Sequence, residues 1–288
     1  MKGKTIFKEK ADMVIETLIE IKPEDGLYPV YISTEENTTF SSEFISMGIL
    51  GDHFYEYLFK SWQYDNANQK MKTLFENSFD GIKQKLLRVS SPSQLFFIGQ
   101  LNHNLNPVMN NKMDDSICSF AGFFFQASQN NPNLKHFSEI SKKILDTCLI
   151  LTEKVTTKLN SQSVVFNTQL DAPPNSSDFY IHSTKYSLYS GTLESLFIFY
   201  KLTGDPIYQN HAWKMFVNIL TNCMVPNGFS GLQDVSFLKS YNDKMEPFFF
   251  SKTLKYLYLI FEDKEVLPLS NYVFSSYGHP FRKSAPQK

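Results

Sequence analysis

The chain reads as all-α, with short strand-like pieces in the loops, and three observations predict that class. Apolar residues recur at helical spacing along most of its 288 residues. Thr203-Gly204-Asp205-Pro206 is a helix stop followed at once by a helix start, with proline in the first turn. Helix, loop or hairpin, then helix repeats without a linker, a low-complexity tract or a break in composition. Residues 1–288 are therefore expected to form a single domain of antiparallel helix pairs set side by side. Periodicity fits a bundle and a ring of hairpins equally well.

Taken in order, the first helix is predicted over Ile6 to Ile21, where charged and apolar residues interleave. Met1 to Glu20 has no apolar h-region, so it does not read as a signal peptide. Asp52 to Tyr64 is the second helix, with Gly51 and Asp52 supplying its cap. Further helices are predicted over Asn68 to Leu87, Asp114 to Gln129, Leu134 to Lys158, Leu188 to Leu202, Pro206 to Cys223 and Lys244 to Phe261. Leu95 to Leu101, Val164 to Gln169 and Phe229 to Val235 read as short strands. Asp171 to Asp178, DAPPNSSD, reads as an exposed loop.

Composition excludes several roles. The formal charge is −1, and no basic block or stripe appears, so nucleic acid is not an expected partner. No apolar run approaches the roughly 18 residues of a membrane span. Phe (27) and Tyr (15) are abundant, which is a globular composition and not a disordered one. The three cysteines, Cys118, Cys148 and Cys223, allow at most one bridge and leave a thiol over. Two N-glycosylation triplets occur, Asn37-Thr38-Thr39 and Asn175-Ser176-Ser177, as such triplets also do by chance. His53, His103, His136, His182 and His211 lack metal-ligand spacing and are expected at the surface or satisfied. No nucleophile elbow, phosphate loop or CxxC motif is present.

The stretch that carries chemistry is Gly51 to Lys60, GDHFYEYLFK. Asp52 and Glu56 are four residues apart and so share a helix face. Carboxylates at an aromatic-lined helix mouth suit acid and base work on a sugar, since rings stack on the sugar while acids handle protons. The same pattern also serves as a plain helix start with an aromatic stripe on the core.

Several segments together resemble glycoside hydrolase family 47, the class I α-1,2-mannosidases. They are, in chain order, Gly26-Leu27-Tyr28-Pro29; Gly51 to Lys60; Lys112-Met113-Asp114; Leu193-Glu194-Ser195 with Thr203-Gly204-Asp205; Gly228 to Val235; Thr253 to Phe261; and Val273-Phe274 with His279-Pro280-Phe281. The resemblance implies an α/α toroid, here a partial (α/α)7 barrel with short β-hairpins in its loops and without the family's N-terminal helices. It implies inverting hydrolysis of terminal mannose during N-glycan trimming, with calcium at the barrel base. High-mannose N-glycan or glycoprotein is the implied partner, and the lumen of the endoplasmic reticulum or Golgi the implied compartment. Cys118 and Cys148 fall where the family has its disulfide, and Leu50 resembles the Golgi-type members.

Carried over position by position, the resemblance makes Asp52 a catalytic carboxylate and Asp114 an acid of the same pocket. Glu194 orders water around the calcium. Phe248 is either the ring under the terminal mannose or a plain core phenylalanine, and Glu246 sits just before it. Ser276 matches the residue that binds calcium. The departures bear on activity. Gly191 stands where the family has the acid assigned as general base, and Asp115 where it has a histidine. Lys252 and Tyr277 replace acids near the metal, which removes charge that a calcium site needs. Another catalytic acid lies in the absent N-terminal half. The chain is therefore expected to be impaired, although Asp115 could pair with Asp52 as a substitute couple. The Lys252 ammonium is expected where the calcium would lie, against Glu194 and Asp114. Three roles compete: a family 47 α-mannosidase, a non-catalytic binder of high-mannose glycan or glycoprotein, and a truncated product without function.

Overall fold

A computed structural model describes residues 5–35, 38–102, 108–169, 173 and 175–284. Asn37 of the first glycosylation triplet, His103 and part of the 171–178 loop lie outside the described residues. Eight α-helices are described: α1 (Thr5–Glu20), α2 (Asp52–Tyr64), α3 (Gln69–Gly81), α4 (Cys118–Asn130), α5 (Phe137–Glu153), α6 (Gly191–Thr203), α7 (Pro206–Cys223) and α8 (Lys255–Phe261). π-helical turns extend α3 over Ile82–Leu86 and lead into α8 over Phe249–Leu254.

The helices form two layers. α2, α4, α6 and α8 touch in succession as the inner layer, while α3, α5 and α7 back them as the antiparallel outer partners. This is part of an α/α barrel. The segment after α8 returns to α2, where Tyr272–Phe274 packs, and the Ser284 N–H donates to the Tyr64 carbonyl at 2.9 Å.

The abundance of phenylalanine is explained by the core between the layers. Phe59 of α2 stacks on Phe123 of α4 (5.6 Å between centroids), and Phe79 of α3 meets both Phe124 (4.1 Å) and Phe137 (3.8 Å). Phe125 stacks on Phe199 at 4.1 Å, tying α4 to α6. Such pairs add roughly 0.5–1.5 kcal/mol each beyond the area they bury. α4 and α6 approach so closely that a Cβ on Gly122 would lie 2.9 Å from the Ser195 Cα. A disulfide between Cys118 and Cys148 fastens α4 to α5, and Cys223 is a buried free thiol.

Several expected boundaries move, each for a local reason. Asp114 is not in a helix. It ends the strand Lys112–Asp114, which pairs with Ser163–Phe166, and α4 starts only at Cys118 after a tight turn. The helix expected from Lys244 begins after Pro247, which sits at the start of the first turn where its missing N–H costs nothing. That expected from Leu188 begins at Gly191, because Leu188 has a left-handed φ of 59°. The strand expected over Leu95 to Leu101 is two strands in different sheets, Phe96–Ile98 and Gln100–Asn102. Of Phe229 to Val235 only Phe229 is in a strand, with single bridges from Leu232 to Tyr186 and Tyr241.

Candidate active site

Antiparallel hairpins oblige the inner helices to run the same way, so their N-termini gather at one end. There the first turns of α2 and α4, the approach to α6 and the π turn before α8 open on a cavity of about 840 Å³. That volume suits a sugar-sized ligand. Four helix N-termini converging on one space also favour negative charge within it.

Most residues expected at the site are brought together. Asp52, Asp114, Asp115, Glu246, Phe248, Ser276 and Tyr277 all line the cavity, as do Glu56 and Lys252. Polar Asn160, Gln162, Gln233 and Asn242 fill in the walls. Phe248 is half-buried and meets the Tyr189 ring edge-on at 6.3 Å, so it is a cavity wall and not plain core. Glu194 is the exception. It is 2% exposed and lies in a layer beneath the cavity.

The acids are in different states. Asp52 lies in the first turn of α2, where its Oδ1 accepts the His53 N–H at 2.9 Å. Burial pushes its carboxyl above the ordinary value, with His53 and Ser116 pulling the other way. Gly51 adopts helical dihedrals with no side-chain cap, so the expected cap is absent at that position. Glu56 is paired with Lys60, and His53 Nδ1 lies 3.7 Å from its other oxygen. Burial opposes its charge, but Lys60, His53 and Lys252 outweigh burial and hold Glu56 well below the carboxylate range. It is therefore unavailable as a proton carrier near neutrality. Asp114 accepts the Ile49 N–H at 3.2 Å and pairs with Lys112 at 3.1 Å.

Asp115 contrasts with the others. One carboxylate oxygen has no partner, and the carboxylate accepts the Gly191 N–H at the start of α6. Burial, with some help from Asp114, pushes this carboxyl up to about 7.

Gly191 is closed in from two sides. A Cβ there would stand 2.8 Å from the Asp115 carbonyl oxygen and 2.8 Å from the Ser119 nitrogen. Glycine to alanine near a helix start ordinarily stabilises by up to about 1 kcal/mol. Here backbone must shift, so Gly191→Ala is expected to destabilise by about 1–3 kcal/mol, as overpacking does. Urea unfolding of the two proteins measures the sign.

Beneath the cavity, Glu194 Oε2 pairs with Lys252 at 2.9 Å, while its Oε1 receives Lys60 at 3.2 Å and the Tyr256 hydroxyl at 2.8 Å. The expected pairing of Lys252 with Glu194 is found. Pairing with Asp114 is not, because Lys112 from the same strand reaches that acid first. Lys60, Tyr189 and Tyr256 did not stand out in the sequence as site residues. The Glu56 to Lys60 spacing was the available signal, although it cannot tell a buried pair from a surface one. Among the described residues, no three of His, Cys, Asp and Glu come together as a metal cluster. Nor, among them, is any helix long and apolar enough to cross a membrane.

The comparisons with known proteins agree with this architecture. Over 93% of its length the chain superposes, with a TM-score of 0.82 and 24% identity, on 59% of an α-1,2-mannosidase from Trichoderma reesei, which shows the fold. It is 32% identical over 97% of its length to a mannosyl-oligosaccharide α-1,2-mannosidase IA of Spodoptera frugiperda, of which that alignment covers 41%. With a mannosyl-oligosaccharide 1,2-α-mannosidase of Candida albicans the identity is 31%, again over 97% of this chain and over 54% of the relative. The chain thus spans about half the length of the curated relatives it matches. Since the glycosyl hydrolase family 47 model matches residues 1–283, nearly the whole chain, this protein belongs to glycosyl hydrolase family 47.

Proposed function

We propose that the chain is an α-1,2-mannosidase-like protein of N-glycan processing, which holds the mannose-terminated end of a high-mannose glycan in this cavity but is impaired in hydrolysis. The observation that carries the reading is the mouth of α6. An inverting glycosidase needs an acid and a base with carboxyls roughly 6.5–9.5 Å apart. By family resemblance the base belongs at Gly191, where there is no side chain and no room for one without backbone movement. Losing one proton carrier costs on the order of 10²–10⁴ in rate.

Support for sugar binding comes from the walls. Phe248 offers a ring face, and the amides of Asn160, Gln162, Gln233 and Asn242 offer both donors and acceptors for hydroxyls. The Cys118–Cys148 disulfide agrees with an oxidising secretory lumen.

One observation favours a second reading, in which Asp52 and Asp115 act as a substitute couple. Both line the cavity, and Asp115 is poised near neutrality with a free oxygen. Calorimetric titration with a high-mannose glycan, beside an assay of released mannose, separates the cases. The expected result is binding without release, weakened about tenfold by Phe248→Ala, which corresponds to the upper end of an aromatic contact. Mannose release would support an active mannosidase, and its loss in both Asp52→Asn and Asp115→Asn would establish the second reading. Neither binding nor release would leave a product without glycan function.

A further inference from the structure

Family membership implies a calcium ion at the base of this cavity, so the chemistry of the base is the place to look. Calcium takes six to eight oxygen ligands and gains affinity from carboxylate charge. Here the buried acids Glu56, Glu194 and Asp114 each already have a cation. Glu56 is paired with Lys60, Lys60 with Glu194, and Glu194 with Lys252, in a closed set of two acids and two ammonium groups. Asp114 is neutralised by Lys112. The set is charge-balanced, so a divalent ion entering it would meet no excess of negative charge.

The turn from Ser275 to Gly278 completes the case. It carries Ser276, the metal candidate, and it is held by lysines. Lys60 Nζ donates to the Ser275 carbonyl at 3.3 Å, and Lys255 Nζ donates to the Gly278 carbonyl at 2.6 Å. The stem of Lys252 packs on the same turn, where a Cβ on Gly278 would lie 3.4 Å from its Cγ. The carbonyls on either side of Ser276 in this turn are thus engaged by ammonium groups, and with the acids below already paired the donor set does not fit calcium.

We infer that Lys60, Lys252 and Lys255 organise the base of the cavity in place of a divalent cation, so that the chain folds and keeps its pocket without calcium. Lys252 is then a positioning residue. It lies one helical turn beyond Phe248 and joins that wall to Glu194 in the layer below. The inference concerns the cavity of the proposed function, but its readout is melting temperature and metal binding. A failure to bind glycan would leave it standing.

The test uses the purified chain, stripped with EDTA and titrated with calcium chloride to millimolar concentration, with magnesium chloride as the ionic control. The expected result is a shift in Tm below about 1 °C and no saturable heat of binding. A saturable rise of roughly 5 °C, the scale expected at one hundred times Kd, would overturn the inference. Lys252→Glu is expected to lower Tm in EDTA and to gain a calcium-dependent rise. A folded Lys252→Glu protein without that rise would also overturn it. If the variant folds in neither condition, the unsubstituted chain decides alone.

Discussion

Replacing Glu194 by glutamine is expected to cost about 3–5 kcal/mol of stability, the range measured when one partner of a buried ion pair is removed. The side chain keeps its shape and loses its charge. Lys252 is 7% exposed at its side chain and holds its closest ion pair with Glu194, at 2.9 Å. Burial works against the Lys252 charge, but Glu194, then Tyr189 and Glu56, outweigh it and keep the ammonium protonated far above neutrality. With Glu194 neutral, a buried cation is left against the Tyr189 ring, 4.9 Å from its centroid, with the more distant Glu56 as its remaining acid. The amide oxygen can still accept from Lys60 and the Tyr256 hydroxyl on the Oε1 side. The amide NH2 that replaces Oε2, however, faces the Lys252 ammonium as a second donor. The fall in Tm should be on the order of 10 °C. Glu194→Gln combined with Lys252→Met should recover part of the loss, because buried pairs are often replaced by apolar groups at little cost. Chemical unfolding of the single and double variants gives the coupling directly. A single variant within about 1 kcal/mol of the parent would show that the cluster is solvated, and the case for lysines in place of a metal would weaken with it.

What the sequence made legible is what depends on neighbours in the chain. Thr203-Gly204-Asp205-Pro206 behaves as read: Gly204 takes a left-handed φ of 70° and its N–H returns to Tyr200, while Asp205 accepts the Ile207 N–H at 2.9 Å. α2 begins and ends at the expected residues because an aromatic stripe with helical period runs its length. The reversal of charge at Lys252 was enough to expect an acid beside it, and Glu194 is there. The strands are a different matter. Most are two or three residues long, too short for a period of two to register, and two of the pairings join segments about fifty to sixty residues apart. Asp114 pairs across to Ser163, so nothing local distinguishes its strand from the start of α4. The placement of Glu194 beneath the cavity instead of on its wall depends on how deeply α6 sits between α4 and α8, which is a property of packing and not of spacing. For the same reason nothing in the local sequence sets Lys60 apart from a surface helix lysine. Its burial under Phe123, 4.7 Å from the ring centroid, exists only once α2 and α4 are side by side.

Asp115 should make the stability of this protein fall as pH rises from about 4 to about 7. Its carboxyl titrates near 7 in the folded chain against about 3.8 for the ordinary residue, and the cause is burial beside Asp114. The sign follows from linkage: the folded chain binds this proton more tightly than the unfolded chain does. The contribution is complete below the unfolded pKa and is lost as pH climbs through the folded one. About three pKa units correspond to roughly 4 kcal/mol. Glu56 acts in the opposite direction, since its carboxyl is depressed, and its contribution is lost only at acid pH below the usual carboxylate range. Asp115→Asn isolates the effect, because an amide oxygen still accepts the Gly191 N–H while no charge is buried. Relative to the parent, the variant should gain stability across pH 4 to 7 and hold a constant advantage of a few kcal/mol above pH 8, measured by urea unfolding at each pH. If that difference is flat, Asp115 ionises as a solvated carboxylate and has no claim on chemistry. If the step is found near 7, Asp115 is a cavity acid poised to exchange a proton at neutrality, and any residual mannose release should follow the same midpoint.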